Sequence, residues 1–112
     1  MLSDKHCVPC EGGAKPLSGD KLDEYLKQVK DWETLDSSRK ITKHFEFKDF
    51  KEAMDFIGKV ADIAESEGHH PDIHIFYNKV QLVLWTHAIN GLSENDFILA
   101  SKIDVATILK NQ

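Results

Sequence analysis

No stretch of this sequence approaches the roughly 18 consecutive apolar residues that a membrane-spanning helix needs, and its first residues lack the apolar core of a secretory signal. A soluble, cytoplasmic protein with no membrane partner is expected. Cationic charge is also scarce: 14 Lys and Arg stand against 19 Asp and Glu, for a formal net charge of -5. Without clustered basic residues to neutralise phosphates, direct nucleic-acid binding is not expected. With only two cysteines, the disulfide framework of a small secreted domain cannot be built. There is no P-loop, no GxGxxG and no GxSxG, so nucleotide binding and serine hydrolysis have no anchor, and no internal repeat is found.

What is present is a globular composition. Hydrophobic residues make up 41% and charged residues 29% of 112, which suits one compact domain with a single core rather than a disordered chain or two domains. Residues 1–17 hold Cys7, Pro9, Cys10, Gly12, Gly13 and Pro16 with little apolar periodicity, and read as an irregular arm before a domain over 18–112. The Cys7/Cys10 pair, with His6, falls short of the four protein ligands of a structural zinc site, and no second cysteine pair follows. Two reduced thiols in an arm packed on the domain are expected.

Ser18 is a candidate N-cap, and Leu22, Leu26 and Val29 recur at helical spacing through Lys30. Periodicity then changes: after Trp32 and the turn residues Ser37 and Ser38, Ile41 to Phe47 alternates as a strand does, which predicts a hairpin. Asp49 and Glu52 form a capping-box relative opening a helix to about Glu67, with Phe50, Ala53, Met54, Ile57, Ala61 and Ala64 as its apolar stripe. Gly68 stands where a left-handed helix stop is wanted. Ile73 to Tyr77 and Val80 to His87 predict a second hairpin turning near Asn78 and Lys79, and Ser93 with Asp96 opens a last helix lined by Leu99, Ile103 and Ala106. The expected fold is α+β, in the order α-β-β-α-β-β-α, with one four-stranded antiparallel sheet carrying three helices on one face. Apolar residues on both faces and an exposed edge strand predict a homodimer, with a tetramer as the larger alternative.

Four of the six histidines, His69, His70, His74 and His87, lie in the stretch from Glu65 to Asp96. His69 and His70 sit between the helix stop and Pro71, which biases His70 towards an extended backbone. Imidazole, with an unperturbed pKa of roughly 6.5, both gives and takes protons near neutral pH. Read as a metal cluster, the group would need a particular register to close with His87, and His74 is expected at a surface or core edge. Read as acid and base, His69 or His70 on one side of a pocket and His87 on the other need no metal. Glu65 either orients an imidazole or stands as a solvated helix-end carboxylate. Asp96 reads as a helix cap, and Trp32 as core.

The spacing of Glu65, His69-His70-Pro71, Tyr77, His87 and Asp96 closely resembles the signature of the pterin-4a-carbinolamine dehydratase family, as do HFEFKDF at 44–50, YNKV at 77–80 and GLSENDF at 91–97. The similarity covers roughly residues 18–105, and the arm resembles that of bacterial and plant-type members. The resemblance implies dehydration of 4a-hydroxytetrahydropterins, left by aromatic amino-acid hydroxylases, to quinonoid dihydropterin, with no metal and no other cofactor. It implies catalysis by His69, His70 and His87, with Glu65, Pro71, Thr86, Ala88, Asp96 and Trp32 binding the substrate, Trp32 as part of an aromatic wall. Ile73 and His74 stand where animal members tend to have aromatic residues, and Trp85 where they tend to have a small one. Animal members also serve as dimerisation cofactors of a homeodomain transcription factor, so a protein-binding module of the same fold is the alternative reading.

Overall fold

The structure, a computed structural model, describes residues 2–8 and 15–110. Helix α1 spans Gly19–Leu26, strands β1 and β2 span Glu33–Leu35 and Lys40–Glu46, and helix α2 spans Phe50–Glu67. Strands β3 and β4 span Asp72–Phe76 and Lys79–Leu84, and helix α3 spans Glu94–Lys110. This is the α+β order expected. The four strands form one antiparallel sheet in the order β1-β2-β4-β3, so the two hairpins meet through their inner strands, with Ile41 opposite Leu84 and Phe45 opposite Val80.

Pairing places Ile41, Phe45, Val80, Leu82 and Leu84 on one face, where they join Ala53, Phe56 and Val60 of α2 and Phe97, Ile98, Leu99, Ala100 and Ile103 of α3 in the core. Leu22 of α1, Val29 and Trp32 complete it at one end, and Leu2 enters it from the arm. The opposite face of the sheet carries Thr42, His44, Gln81, Val83 and His74, and its β3 edge exposes Phe76 to 66% and the turn residue Tyr77 to 67%.

The second helix begins and ends as its sequence dictates. The Asp49 side chain accepts the Glu52 N–H at 2.9 Å while Glu52 Oε1 accepts the Lys48 N–H at 3.2 Å. At the other end Gly68 takes φ 66°, and the His69 N–H returns to the Ala64 carbonyl at 3.2 Å. A glycine costs least in that left-handed turn, which swings the chain sharply off the helix axis.

Three expectations are corrected. The buried stripe of α2 is Ala53, Phe56, Val60 and Ala64, whereas Phe50, Met54 and Ala61 face outward. The helix carries two apolar stripes, and Phe56 decides between them because its ring fills the space beside Phe45 and Phe47, with centroids 4.7 and 4.9 Å away. Helix α1 ends at Leu26 rather than Lys30: the Gln28 and Val29 N–H groups bond three residues back, tightening the chain into turns before Asp31 at φ 65°. His87 does not close β4 but opens a short 3₁₀ turn, His87–Ile89. Thr86 and Gly91 pair across this turn, with the Thr86 N–H bonded to the Gly91 carbonyl at 2.8 Å, so the strand direction is lost two residues before His87. Trp32 is core: 5% exposed, edge-on to Phe45, its indole N–H directed at Asp104 at 3.2 Å.

Candidate active site

Three element ends converge beside the sheet: the C-terminus of α2, the C-terminus of β4 with its 3₁₀ turn, and the N-terminus of α3. At their junction lies Asp96, whose side chain is fully buried. Burying a carboxylate is costly unless donors replace its water. Here three do. The Ser93 N–H bonds Oδ2 at 2.9 Å, the Thr86 hydroxyl bonds Oδ2 at 2.8 Å, and His69 Nε2 lies 2.6 Å from Oδ1. Because the Thr86 proton points to Asp96, the Ser93 hydroxyl, 2.8 Å from Thr86, donates into that oxygen and extends the chain by one link. The capping half of the sequence pattern is present as the Ser93 N–H contact. Asp96 thus caps α3 and holds His69 at once.

A carboxylate only accepts, so Nε2 of His69 carries the hydrogen in this contact and Nδ1 is left as the ring's proton acceptor. The His69 side chain is 13% exposed. His70 is different. Its Nε2 lies 2.7 Å from Glu65 Oε2, but the two side chains are 60% and 78% exposed, so water screens the pair and its energetic worth is small. His87 is held by neither carboxylate; its ring stacks on Trp85 at 3.9 Å between centroids, and Trp85 is fixed by its N–H to Asp72 at 3.3 Å and by the Lys40 ammonium 4.5 Å from its ring centre.

The three imidazoles line a cavity of about 530 Å³, within the range of small-molecule sites. Thr86 and Ala88 line it with them. Glu65 and Asp96 stand one layer behind, each on a histidine, and Pro71 follows the pair and is half-buried. Trp32 is not among the lining residues. Among the described residues, no three His, Cys, Asp or Glu side chains converge in a way that could hold a metal ion.

Sequence reasoning missed Cys7, Val8, Glu67, Trp85 and Asn95, which with the helix stop Gly68 complete the lining. Glu67 gave no periodic signal of its role, being one more carboxylate at a helix end, yet its side chain is 5% exposed and accepts the Cys7 N–H at 2.8 Å. Burial alone would raise its pKa, but the Cys7 N–H, His6 and Lys102 outweigh that and hold the carboxyl below its usual range. Cys7 is a free thiol, half-buried in the arm as expected; the Cys10 half of the pair lies outside the described residues. Burial first, and the Glu67 and Asp96 carboxylates next, push the Cys7 thiol up to about 12, so it stays protonated.

Comparison with known proteins gives the family and the fold. The model of the family described as pterin 4 alpha carbinolamine dehydratase matches residues 15–106. A protein of Methylococcus capsulatus named for pterin-4-alpha-carbinolamine dehydratase is 46% identical over 103 residues, covering 92% of this chain and 90% of that protein. One of Rubrobacter xylanophilus named for the same enzyme is 41% identical over 103 residues, covering 92% and 95%. Among solved structures, a protein of Brucella melitensis described as a transcriptional coactivator/pterin dehydratase superposes with a TM-score of 0.77 at 35% identity, covering 81% of this chain and 97% of that one.

The two carboxylate–histidine pairs differ in burial, and that difference sets an expected outcome. Asp96→Ala, which orphans a backbone N–H, a hydroxyl and an imidazole in a dry site, should lower unfolding stability by about 3 kcal/mol. Glu65→Ala should cost less than about 1 kcal/mol. Denaturant melts of the two variants check this; equal losses would contradict the assigned burial.

Proposed function

The chain belongs to the pterin 4 alpha carbinolamine dehydratase family, and from that premise we propose that it dehydrates 4a-hydroxytetrahydropterins to quinonoid dihydropterins by histidine acid–base catalysis, as a step in recycling the pterin used by aromatic amino-acid hydroxylases. The observation that carries this reading is the buried Ser93–Thr86–Asp96–His69 chain, which ends at an imidazole in the same cavity as His87.

The reaction breaks the C4a–O bond and the N5–H bond. The electron pair of N5–H becomes the new C4a=N5 bond, and the leaving hydroxyl departs as water once it has been protonated. A base at N5 and an acid at the oxygen are all that the balance requires. His69, with Nε2–H bound to Asp96, is the base: its Nδ1 takes the N5 proton, and the carboxylate beside it stabilises the imidazolium that forms. His87 is the acid. It lies on a different element, is tied to no carboxylate, and its stacking on Trp85 fixes the ring plane. His70, at the rim with Glu65, orients the pterin, with the Thr86–Ala88 turn lining the same wall. The elimination changes no oxidation state overall, so the proposal includes no metal and no redox cofactor.

The proposed active form is a homodimer. A four-stranded sheet whose edge strands β1 and β3 pair on one side only among the described residues, with Phe76 at the end of β3 and the turn residue Tyr77 exposed, favours pairing with a second copy. No helix among the described residues is long and apolar enough to cross a membrane. A cytoplasmic location is proposed because the free Cys7 thiol suits a reducing compartment.

Turnover of 4a-hydroxytetrahydropterin by His69→Gln, which keeps a donor for Asp96 but carries no transferable proton, should fall at least about a hundredfold in kcat, and by a similar factor in His87→Ala. In His70→Ala, KM should rise at least as much as kcat falls. Near-normal kcat in both His69→Gln and His87→Ala would transfer the protein to the alternative reading, a partner-binding module. Sedimentation at micromolar concentration should show a dimer or larger; a 12.7 kDa species alone would contradict the assembly.

A further inference from the structure

The N-terminal arm is held against the cavity by side chains of α2 and α3. Leu2 is buried in the core, and the Ser3 carbonyl accepts from Lys102 Nζ at 2.8 Å. Lys5 reaches Glu94 at 2.9 Å, and His6 Nδ1 lies 3.0 Å from Glu67. The last two residues before the arm leaves the described region have the closest fit. Cys7 gives its N–H to Glu67 and directs its thiol at the Asn95 carbonyl, 3.5 Å away. Val8 gives its N–H to Asn95 Oδ1 at 3.0 Å and takes a hydrogen bond from Asn95 Nδ2 on its own carbonyl.

A primary amide that both accepts from and donates to one residue's backbone reads that residue as a strand neighbour would. It fixes Val8 in position and direction. Asn95 is 5% exposed, and it directly precedes Asp96, so the group that holds the arm and the group that holds His69 are adjacent on the first turn of α3. Yet Val8 itself is 65% exposed at the cavity it lines, an unusual place to fix an apolar residue with this much hydrogen bonding.

We propose that Cys7 and Val8 form the wall of the pterin site that contacts the substituent on the reduced ring, with Asn95 as the residue that positions this wall. The proposal rests on the pterin dehydratase reading above and adds to it the part of the substrate that the arm selects. Its chemistry decides the placement. The pyrimidine edge of a pterin carries an amide and an amino group that need hydrogen-bond partners. Val8 has no donor to offer, since its N–H is engaged by Asn95, which also takes one lone pair of its carbonyl. The Cys7 N–H is likewise engaged by Glu67, and its thiol is neutral. What the arm presents is an isopropyl group and a protonated sulfur, an apolar surface suited to the carbon side of the reduced ring. The ring position next to N5 carries the substituent there, close to the bond that the histidines break.

The test uses two substrates, a 4a-hydroxytetrahydropterin with a 6-methyl group and one with hydrogen at that position, and the full-length variants Val8→Ala, Val8→Ile and Asn95→Leu. Val8→Ala, at an exposed site, does not threaten folding. It should raise KM for the 6-methyl substrate roughly fivefold while moving KM for the unsubstituted one less than twofold, with kcat within twofold for both. Val8→Ile, which adds a methylene to the same wall, should shift KM for the 6-methyl substrate while moving KM for the unsubstituted one less than twofold. Asn95→Leu should show the same substrate-selective rise in KM, which a merely structural residue would not, because general loosening affects both substrates alike. Equal changes for the two substrates in Val8→Ala, or no change in either, would overturn the inference while wild-type turnover left the dehydratase reading standing. A wild-type protein inactive on both substrates would overturn the dehydratase reading and this inference together.

Discussion

The geometry of the site depends on one buried carboxylate. Asp96 is inaccessible to water, so the chain must supply what solvent would have supplied, and it does so from three separate elements. Ser93 comes from the start of α3, Thr86 from the end of β4 and His69 from the stop of α2. None can move without leaving a charge or a donor unpaired in a dry environment. The requirement is local in cause and global in effect, because it fixes how the second hairpin meets the two long helices. It also places a histidine with a defined tautomer at the floor of a cavity.

The same demand separates the two histidine–carboxylate pairs, which look alike in sequence. His69 and His70 are neighbours, and each has an acidic partner within hydrogen-bond distance. His69 faces inward because Gly68, in its left-handed conformation, turns the chain off α2 towards α3. His70, one residue later and held extended by Pro71, reaches back over the last turn of the helix to Glu65 at the surface. Adjacent residues on an extended backbone point to different sides, and so one imidazole belongs to the interior and the other to the rim.

Much of the fold was legible because its signals are local. The Asp49–Glu52 cap, the Gly68 stop, the alternation through Ile41 to Phe45 and the Ser93–Asp96 pattern each act within a few residues and appear where the sequence puts them. What was not legible is non-local. Periodicity could not say which of two apolar stripes on α2 would be buried, since Phe56 is chosen by rings on β2 and beyond it. The 3₁₀ turn at His87 follows from the pairing of Thr86 with Gly91, a contact that alternation along the strand conceals. Asp96 read as a cap, and its bond to His69 spans 27 positions. The arm's contacts with Glu67, Asn95 and Lys102 span 60 or more. No spacing rule reaches that far.

The central claim is that Asp96 fixes His69 as the Nε2–H tautomer, so that Nδ1 is the atom that takes the proton. Long-range proton–nitrogen NMR correlation on the ¹⁵N-labelled protein, at a pH where the ring is neutral, reads this directly. The account predicts that His69 shows a protonated Nε2 and an unprotonated Nδ1 in the wild-type protein, and a mixture of tautomers in Asp96→Asn, whose amide can either accept from the ring or donate to it. A wild-type His69 with its hydrogen on Nδ1, or a tautomer indifferent to Asp96, would contradict it.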